Sequence, residues 1–252
     1  MSKKEFVIET GTLIEYNGND TNVVIPDGVT SVGNMAFSRC RDLAGITIPG
    51  SVTSIGDHAF YCCRNLVGIT IPNSVTSIDD NAFDGCSSLT DITIPESVTR
   101  IGNNAFYLCT SLMSVEISAG VKSIGEDAFN GCSDLQSIII PDSVTDIGDY
   151  AFQDCSDLAE VTLPKGIKSI GDSVFYNCTS LTSINIPEGV MDIGAWAFCN
   201  CKRLTAITIP DSVTSIGTEA FECCKKLTIY AHKGSYAEEY AKENNIPFKA
   251  ID

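Results

Sequence analysis

A proline that recurs every 23 residues is the feature that most constrains what this chain can fold into. It follows an apolar residue at Pro26, Pro49, Pro72, Pro95, Pro141, Pro164, Pro187 and Pro210. One position of the series, between 95 and 141, is filled by Ser118 instead. Self-similarity at a fixed period of 20 to 50 residues is the signature of a repeat architecture. We therefore predict nine units, joined without insertion from residue 25 to residue 230.

Each unit combines two extended segments with a turn. In the unit that starts at Pro72, Ile92 and Ile94 alternate around Thr93, which predicts a strand with Thr93 facing outward. The segment from Val75 to Ile78 predicts a second, shorter strand on the return side.

The segment between the two strands predicts a bend followed by a short helical turn. A glycine recurs after the return strand, as at Gly56, Gly102 and Gly148, and suits a residue with positive φ. An acidic or amide residue then precedes Ala-Phe, as a helix N-cap does. The residues from Ala-Phe to the following cysteine are therefore expected to form one helical or 3₁₀ turn.

A single unit cannot bury enough apolar surface to offset the ordering of its backbone, so the units must stack. Residues 1–24 lack the motif and predict an N-terminal cap hairpin with a turn at Glu9-Thr10-Gly11. Residues 231–252 predict a C-terminal cap, with a short helix after Ser235 and an edge strand at 246–248. The fold class expected is an α/β-type, β-rich solenoid of nine 23-residue coils with short helical turns and a cap at each end.

The consensus C-x-x-L-x-x-I-x-I-P-x-x-V-x-x-I-G-x-x-A-F resembles the BspA-like branch of bacterial leucine-rich repeats. One copy is carried by Cys132, Leu135, Ile138, Ile140, Pro141, Val144, Ile147, Gly148, Ala151 and Phe152. The resemblance extends over residues 25–230, and the tail 233–237 also resembles that family's usual ending. It implies a surface-displayed or secreted adhesin that binds matrix proteins or other cells. The first residues, Met1 to Glu5, show no apolar segment of a secretory signal, so the compartment stays open.

Charge and hydrophobicity limit the classes of partner that we expect for this chain. The chain has 32 acidic and 16 basic residues and a net charge of −16. This excess repels phosphate backbones, so we expect no nucleic-acid partner. No apolar run approaches the length of a membrane helix, so we expect no membrane insertion. The chain is expected to act as a monomer.

Nine of the twelve cysteines form a column at 23-residue spacing, from Cys40 to Cys224. Equivalent inward positions predict small core side chains rather than disulfides. The cysteines do not have the spacing of a disulfide framework, which indicates that the protein works in a reducing or anaerobic environment. Cys199 and Cys201 with Cys223 and Cys224 imitate a four-thiolate zinc site, but half of these thiols belong to the core column. No cofactor is expected.

Two other columns have ordinary structural explanations. The column Asp57, Asp80, Asn103, Glu126, Asp149 and Asp172 fits helix N-caps better than calcium ligands, which require paired carboxylates and carbonyls. Outward threonines at 47, 70, 93, 162 and 208 suit a sheet, and their interruptions argue against an ice-binding array. The outward face of these strands departs from the repeat consensus at Met113, Glu116, Gln136 and Ile139.

Candidate contact residues lie beside the Ala-Phe turn. Aromatic residues at variable positions there are His58, Tyr61, Tyr107, Tyr150, Tyr176 and Trp196. Such side chains favour protein and glycan contacts, although partial burial against the next coil also explains them. A basic corner is formed by Lys202, Arg203, Lys225 and Lys226, either simply solvated or in contact with an anionic partner. The binding site is predicted to comprise Tyr107, Tyr150, Tyr176, Trp196 and the basic corner.

Catalysis has little support in the sequence. The two histidines, His58 and His232, have no nucleophile at motif spacing, and no phosphate loop or metalloprotease helix is present. We therefore expect no enzyme. The favoured function is an adhesin-like module that binds protein or glycan, and the alternative is a structural or spacer scaffold without a dedicated ligand.

Overall fold

The computed structural model describes residues 5–251, and residues 1–4 and 252 of the predicted caps lie outside this range. The chain winds into a stack of coils that contains many short strands and one helix. In chain order the strands are β1 (Phe6–Glu9), β2 (Thr12–Tyr16), β3 (Asn22–Val24), β4 (Ser31–Val32), β5 (Gly45–Thr47), β6 (Ser54–Ile55), β7 (Gly68–Thr70), β8 (Ser77–Ile78), β9 (Asp91–Ile94), β10 (Arg100–Ile101), β11 (Ser114–Ile117), β12 (Ser123–Ile124), β13 (Ser137–Ile139), β14 (Asp146–Ile147), β15 (Glu160–Thr162), β16 (Ser169–Ile170), β17 (Ser183–Asn185), β18 (Asp192–Ile193), β19 (Ala206–Thr208), β20 (Ser215–Ile216), β21 (Thr228–Ala231) and β22 (Phe248–Ala250). Helix α1 (Tyr236–Glu243) lies between the last two.

Each coil has three sides, which we name the main side, the return side and the turn edge. The turn edge is the segment between a return-side strand and the next main-side strand, such as residues 79–90. The main side consists of β3 and the odd-numbered strands up to β21, and the return side of β2 and the even-numbered strands up to β20. Neighbouring coils pair in parallel and in register, as Ile46 with Ile69 on the main side and Ile55 with Ile78 on the return side. The ten main-side strands from β3 to β21 correspond to ten stacked coils, one more than predicted.

The turn edge is not helical, so the predicted short helical turns and the α/β designation are not confirmed. In the coil of Ala82 and Phe83, residues Asn81 and Gly85 have φ of 56° and 71°, which no right-handed helix accommodates. The amides of Asn81, Phe83 and Gly85 donate to carbonyls of the next coil instead of to their own turn. The fold is a β-solenoid, and α1 is the one helix among the described residues.

The recurrent glycine has a different role from the one predicted. Gly56, Gly102 and Gly148 do not have positive φ. A Cβ at Gly148 would lie 2.4 Å from the backbone nitrogen of Glu126, and one at Gly102 would lie 2.5 Å from the carbonyl carbon of Asp79. The glycine is present because the backbone of the preceding coil passes too close for a side chain.

The core is a set of columns that run through the stack. Nine phenylalanines from Phe37 to Phe221 stack in one file, with ring centroids 5.1 to 5.8 Å apart and nearly parallel planes. Tyr16 and Tyr240 pack against the two ends of this file. Stacked rings, together with the aliphatic and alanine columns, bury apolar surface between coils, which is the main source of solenoid stability.

Both ends are covered by elements that differ from the repeat. Strands β1 and β2 form the predicted antiparallel hairpin, with Thr10 and Gly11 at positive φ in its turn. Ser235 caps α1 as predicted by accepting a hydrogen bond from the Glu238 amide. The last strand is β22, which starts at Phe248 rather than at residue 246 and pairs with β21. The boundaries at 24/25 and 230/231 stay predictions, and β21 runs across the second.

Candidate functional site

The turn edge carries two residues per coil with left-handed backbone, which makes it the most strained part of the solenoid. The first left-handed column is Met35, His58, Asn81, Asn104, Asp127, Tyr150, Ser173, Trp196 and Glu219. Asn and Asp adopt this conformation most readily, whereas bulky side chains rarely do. Asn81, Asn104 and Asp127 therefore fill the column with little strain, and Tyr150 and Trp196 do not.

Three of the four predicted aromatic residues lie on three consecutive coils. Tyr150 and Trp196 occupy the first left-handed column on either side of Ser173, and Tyr176 follows Ser173 in the same coil. Ser173 is only 4% exposed, whereas Trp196 is 41% exposed and the two tyrosines are half-buried. The Trp196 indole donates from Nε1 to Glu219 Oε2 at 2.8 Å, which holds the ring toward the next coil. We name Tyr150, Ser173, Tyr176 and Trp196 the aromatic cluster.

Tyr107 lies apart from the aromatic cluster, two coils from Tyr150 toward the N-terminus. Asp84 precedes it in the same 23-residue column and Tyr61 precedes Asp84, and the Tyr61 ring meets His58 edge-on at 5.3 Å. Burial raises the pKa of the Asp84 carboxyl to about 6, and the charge of His58 acts in the opposite direction. The predicted site residues are thus divided between two places on the turn edge.

The basic corner is exposed as a whole. Lys202 and Arg203 follow Cys201, and Lys225 and Lys226 follow Cys224 on the next coil. The ion pairs found among residues 5–251 involve other side chains, so these four charges are available to solvent or to a partner. The basic corner lies in the same two coils as Trp196 and Glu219. Positively charged side chains therefore lie on the coil of Trp196 and on the next one.

The cysteine column is a structural feature, as predicted. Each thiol from Cys63 to Cys224 donates to the carbonyl oxygen of a phenylalanine in the preceding coil, as Cys132 Sγ does to Phe106 at 3.2 Å. Burial raises the pKa of the thiols from Cys86 to Cys155 in this column well above the usual range, whereas a hydrogen bond with Cys201 lowers the pKa of Cys224. All twelve cysteines are free thiols. Buried thiols with a raised pKa are poor nucleophiles and poor metal ligands.

The four cysteines that resemble a zinc site do not converge. Cys201 and Cys224 donate to core carbonyls, and Cys223 is exposed. Burial raises the pKa of Cys199 to about 11. Among residues 5–251, no group of three or more His, Cys, Asp or Glu side chains is placed to hold a metal ion.

The acidic column does not cap helices, because the turn edge has none. Its carboxylates and amides accept hydrogen bonds from the backbone of the next coil, as Asp149 Oδ1 does from the Asp172 amide at 2.8 Å. Asp80 accepts from the Asn103 amide, and Asn103 from the Glu126 amide, in the same way. The column is a side-chain ladder that joins coils.

Sequence reasoning missed Ser173 as the buried residue between Tyr150 and Trp196, and it missed Asp84. A small residue between two aromatic residues in one 23-residue column was the available signal for Ser173. The two histidines lie far apart: His58 contacts Asp57 in the second full coil, and His232 contacts Asp211 next to the C-terminal cap.

These features define a leucine-rich-repeat solenoid with an irregular, aromatic turn edge. The chain belongs to the BspA-type leucine-rich-repeat family, whose model matches residues 15–136 and 99–228 in six copies.

Solved structures agree with this assignment. A leucine-rich-repeat protein of T. pallidum is 33% identical, with a TM-score of 0.57, over 77% of this chain and 82% of that one. One from Bacteroides ovatus is 25% identical, with a TM-score of 0.59, over 100% of this chain and 97% of that one. The pneumococcal vaccine antigen PcpA, 16% identical with a TM-score of 0.50 over 100% of this chain and 98% of that one, shares the fold. The comparison with curated proteins found no match. Between residues 5 and 251, α1 is too short to cross a membrane, and no other helix is a candidate.

Proposed function

We propose that this protein is a non-enzymatic recognition module that binds a protein or a glycan through the aromatic cluster. The observation that carries the proposal is the presence of Tyr150 and Trp196 at left-handed positions. Asn81 and Asn104 show that the same backbone is compatible with residues that adopt it easily. A costly residue at a surface position is best explained by what its side chain contacts outside the chain.

The chemistry of the cluster suits recognition. Tyrosine and tryptophan offer large, rigid contact areas and are enriched among the residues that dominate binding energy. The buried Ser173 separates Tyr150 from Trp196 in the first left-handed column, and Tyr176 follows Ser173 in the same coil. Flat, partly exposed rings on neighbouring coils match either an aromatic or aliphatic side chain of a protein or the face of a sugar ring.

The basic corner supplies the second part of the proposed site. On a chain with a net charge of −16, four exposed cations concentrated on two coils favour approach of an acidic segment or a charged sugar. Binding that uses the corner weakens as salt rises, whereas binding through the rings alone does not. Such a module fits an adhesin-like role, either at the cell surface or as a secreted protein.

The test uses asparagine, the residue that the solenoid itself places in this column. The Tyr150→Asn/Trp196→Asn variant and the wild type are screened against immobilised matrix proteins, plasma proteins and a glycan array. We expect a saturable ligand of the wild type whose affinity for the variant falls at least about 30-fold, the loss of two hot-spot side chains. Asp127→Asn, in the same column one coil away, is the matched control and should bind as the wild type does.

Two outcomes oppose the proposal. Unchanged affinity of the double variant for a wild-type ligand would remove the aromatic cluster from the binding site. A folded wild type that binds nothing in the screen would favour the scaffold alternative. Replacing the four residues of the basic corner with serine, which occupies equivalent positions at Ser87 and Ser88, separates the contribution of charge.

A further inference from the structure

One junction between coils differs from all the others. Between the coil of residues 141–163 and the coil of residues 164–186, strand pairing is lost on both sides of the solenoid. On the return side, the continuous sheet from β2 to β14 ends there, and a new sheet starts at β16. On the main side, β15 and β17 are not paired. The main side is also interrupted between β11 and β13, but there β12 and β14 keep the return side joined. We name the junction between 163 and 164 the seam.

The preceding junction shows which hydrogen bonds the seam lacks. There, the amides of Thr145 and Gly148 donate across the return side at 2.9 Å, and those of Ile140 and Ala159 donate across the main side at 3.0 and 2.9 Å. The equivalent amides at the seam are Lys168, Gly171, Leu163 and Thr182. Within residues 5–251, none of these four donates to the neighbouring coil.

The turn edge remains joined at the seam. The Tyr150, Phe152 and Asp154 amides donate to the carbonyls of Asp172, Val174 and Tyr176 at 2.9 to 3.0 Å. Two sides are therefore open and the third is closed, which is the geometry of a hinge whose axis runs along the turn edge.

One substitution in the repeat accounts for the opening. Val174, 1% exposed, occupies a column that is alanine in the equivalent positions, such as Ala151 and Ala197. Its two additional methyl groups overpack the interface, and the Phe152–Phe175 centroid distance of 5.8 Å is the widest in the phenylalanine file.

The core is accessible through both open sides. Val161 and Ile147 are only partly buried, whereas their equivalents one coil earlier, Ile138 and Ile124, are each 2% exposed. A groove of about 470 Å³ lies between β15 and β17 and is bordered by Glu160, Lys165 and Asn185. Apolar side chains and unpaired backbone groups are thus exposed together at this one level of the stack.

We propose that the seam is a hinge about which two rigid stacks, residues 5–163 and 164–251, tilt relative to each other. The axis lies at the turn edge, so a tilt separates Lys165 from Asp142, two exposed residues whose contact spans the seam at the Pro164 corner. In the closed form the Lys165 amide donates to Asp142 Oδ1 at 3.0 Å, and Lys165 Nζ lies 3.5 Å from Asp142 Oδ2. A second part of this proposal rests on the function proposed above: the hinge regulates binding at the aromatic cluster, because Tyr150 belongs to one stack and Tyr176 and Trp196 belong to the other. A partner that contacts all three bridges the axis and favours the tilt in which it binds best.

Amide hydrogen exchange of the protein without any ligand tests the hinge. We expect the amides of Leu163, Lys168, Gly171 and Thr182 to exchange at least about 10-fold faster than those of Ile140, Thr145, Gly148 and Ala159. The amides of Tyr150, Phe152 and Asp154 should remain protected, which distinguishes a hinge from local unfolding of a whole coil. Equal exchange at the two junctions, or loss of protection at the turn edge, would overturn the proposal.

A pair of variants tests the cause. Val174→Ala should slow exchange at the seam amides at least about 10-fold, although removing methyl groups from a core ordinarily destabilises it. Val144→Ala, at a buried valine of the preceding coil, is the matched control and should not slow exchange anywhere. Ala128→Val should create a second fast-exchanging junction. If Val174→Ala accelerates exchange as Val144→Ala does, the overpacking account is wrong.

These measurements separate the two proposals. Exchange is recorded on the free protein, so a hinge that is found stands even if the Tyr150→Asn/Trp196→Asn variant binds normally. Conversely, protection at the seam removes the hinge and leaves the aromatic cluster as a candidate site.

Discussion

The inward columns and the turn edge of this solenoid follow different rules, although both repeat every 23 residues. Inward, nearly every coil presents the same residue, and the neighbouring coil is its packing partner, as in the phenylalanine file. On the turn edge, the backbone repeats but the side chains do not: Asn81, Tyr150 and Trp196 share one left-handed column. The contrast shows that the interior specifies stacking, while the edge is free to vary once its backbone is held by hydrogen bonds between coils.

The largest effect is expected in the inward file. Phe129 stacks on Phe106 and Phe152 with centroids 5.2 and 5.4 Å away, and it is fully buried. Phe129→Ala should lower the free energy of unfolding by about 3–5 kcal/mol, as large-to-small core changes do. Urea denaturation measures this. Ile139→Thr, an outward change to the common residue of its column, is the control and should stay within about 0.5 kcal/mol.

The glycine column comes next. A methyl group at Gly148 collides with the backbone of Glu126, so Gly148→Ala should cost about 1–3 kcal/mol. At Gly50 no atom lies within 4 Å of an added Cβ, and the same substitution there should be neutral or slightly stabilising. Similar costs at the two glycines would contradict the close-approach explanation. Thermal and urea unfolding of the two variants provide the comparison.

A smaller effect is expected from the ladder of acidic and amide side chains. Asp149→Ala removes the acceptor of the Asp172 amide and should destabilise the protein by about 1 kcal/mol. Asp149→Asn keeps an acceptor oxygen at the same place and should recover most of this loss. If asparagine and alanine cost the same, charge rather than the hydrogen bond is responsible.

A further effect depends on pH. Burial raises the pKa of Asp84 to about 6, above the ordinary aspartate value near 3.9. Native Asp84 therefore holds its proton more tightly than the unfolded chain does, and its contribution to stability falls as the pH rises from about 4 to about 6.

Asp84→Asn has no such titration. The free energy of unfolding of this variant, relative to the wild type, should therefore increase across that pH window and then stay constant. A difference that is independent of pH would show that Asp84 titrates normally. Denaturation series at pH 4, 5, 6 and 7 give the curve.

Much of the fold follows from the sequence because stacking forces periodicity. The stacking of 23-residue coils, the inward cysteines, the N-terminal hairpin and the cap of α1 at Ser235 were predicted from spacing and residue type. The turn edge was not, because Asp-x-Ala-Phe matches a helix N-terminus locally. The competing structure, in which the amides of Asn81 and Phe83 bond to the next coil, depends on a neighbour that local patterns do not contain.

The candidate site was predictable only in part. Outward aromatic residues indicated the turn edge, but the left-handed backbone at Tyr150 and Trp196 depends on hydrogen bonds to the next coil, which local patterns do not contain. Ser173 was missed because a small residue carries no chemical signal by itself. The seam was missed for a similar reason: Val174 in an alanine column is a conservative change until its effect on stacking is seen.

The most direct test of this division is the stability of the Tyr150→Asn/Trp196→Asn variant, which needs no ligand. If these side chains serve recognition, asparagine relieves left-handed strain and offsets the lost partial packing. The free energy of unfolding should then lie within about 1 kcal/mol of the wild-type value. A loss of more than about 2 kcal/mol, comparable to a core truncation, would contradict the account and assign Tyr150 and Trp196 to the packing of the solenoid.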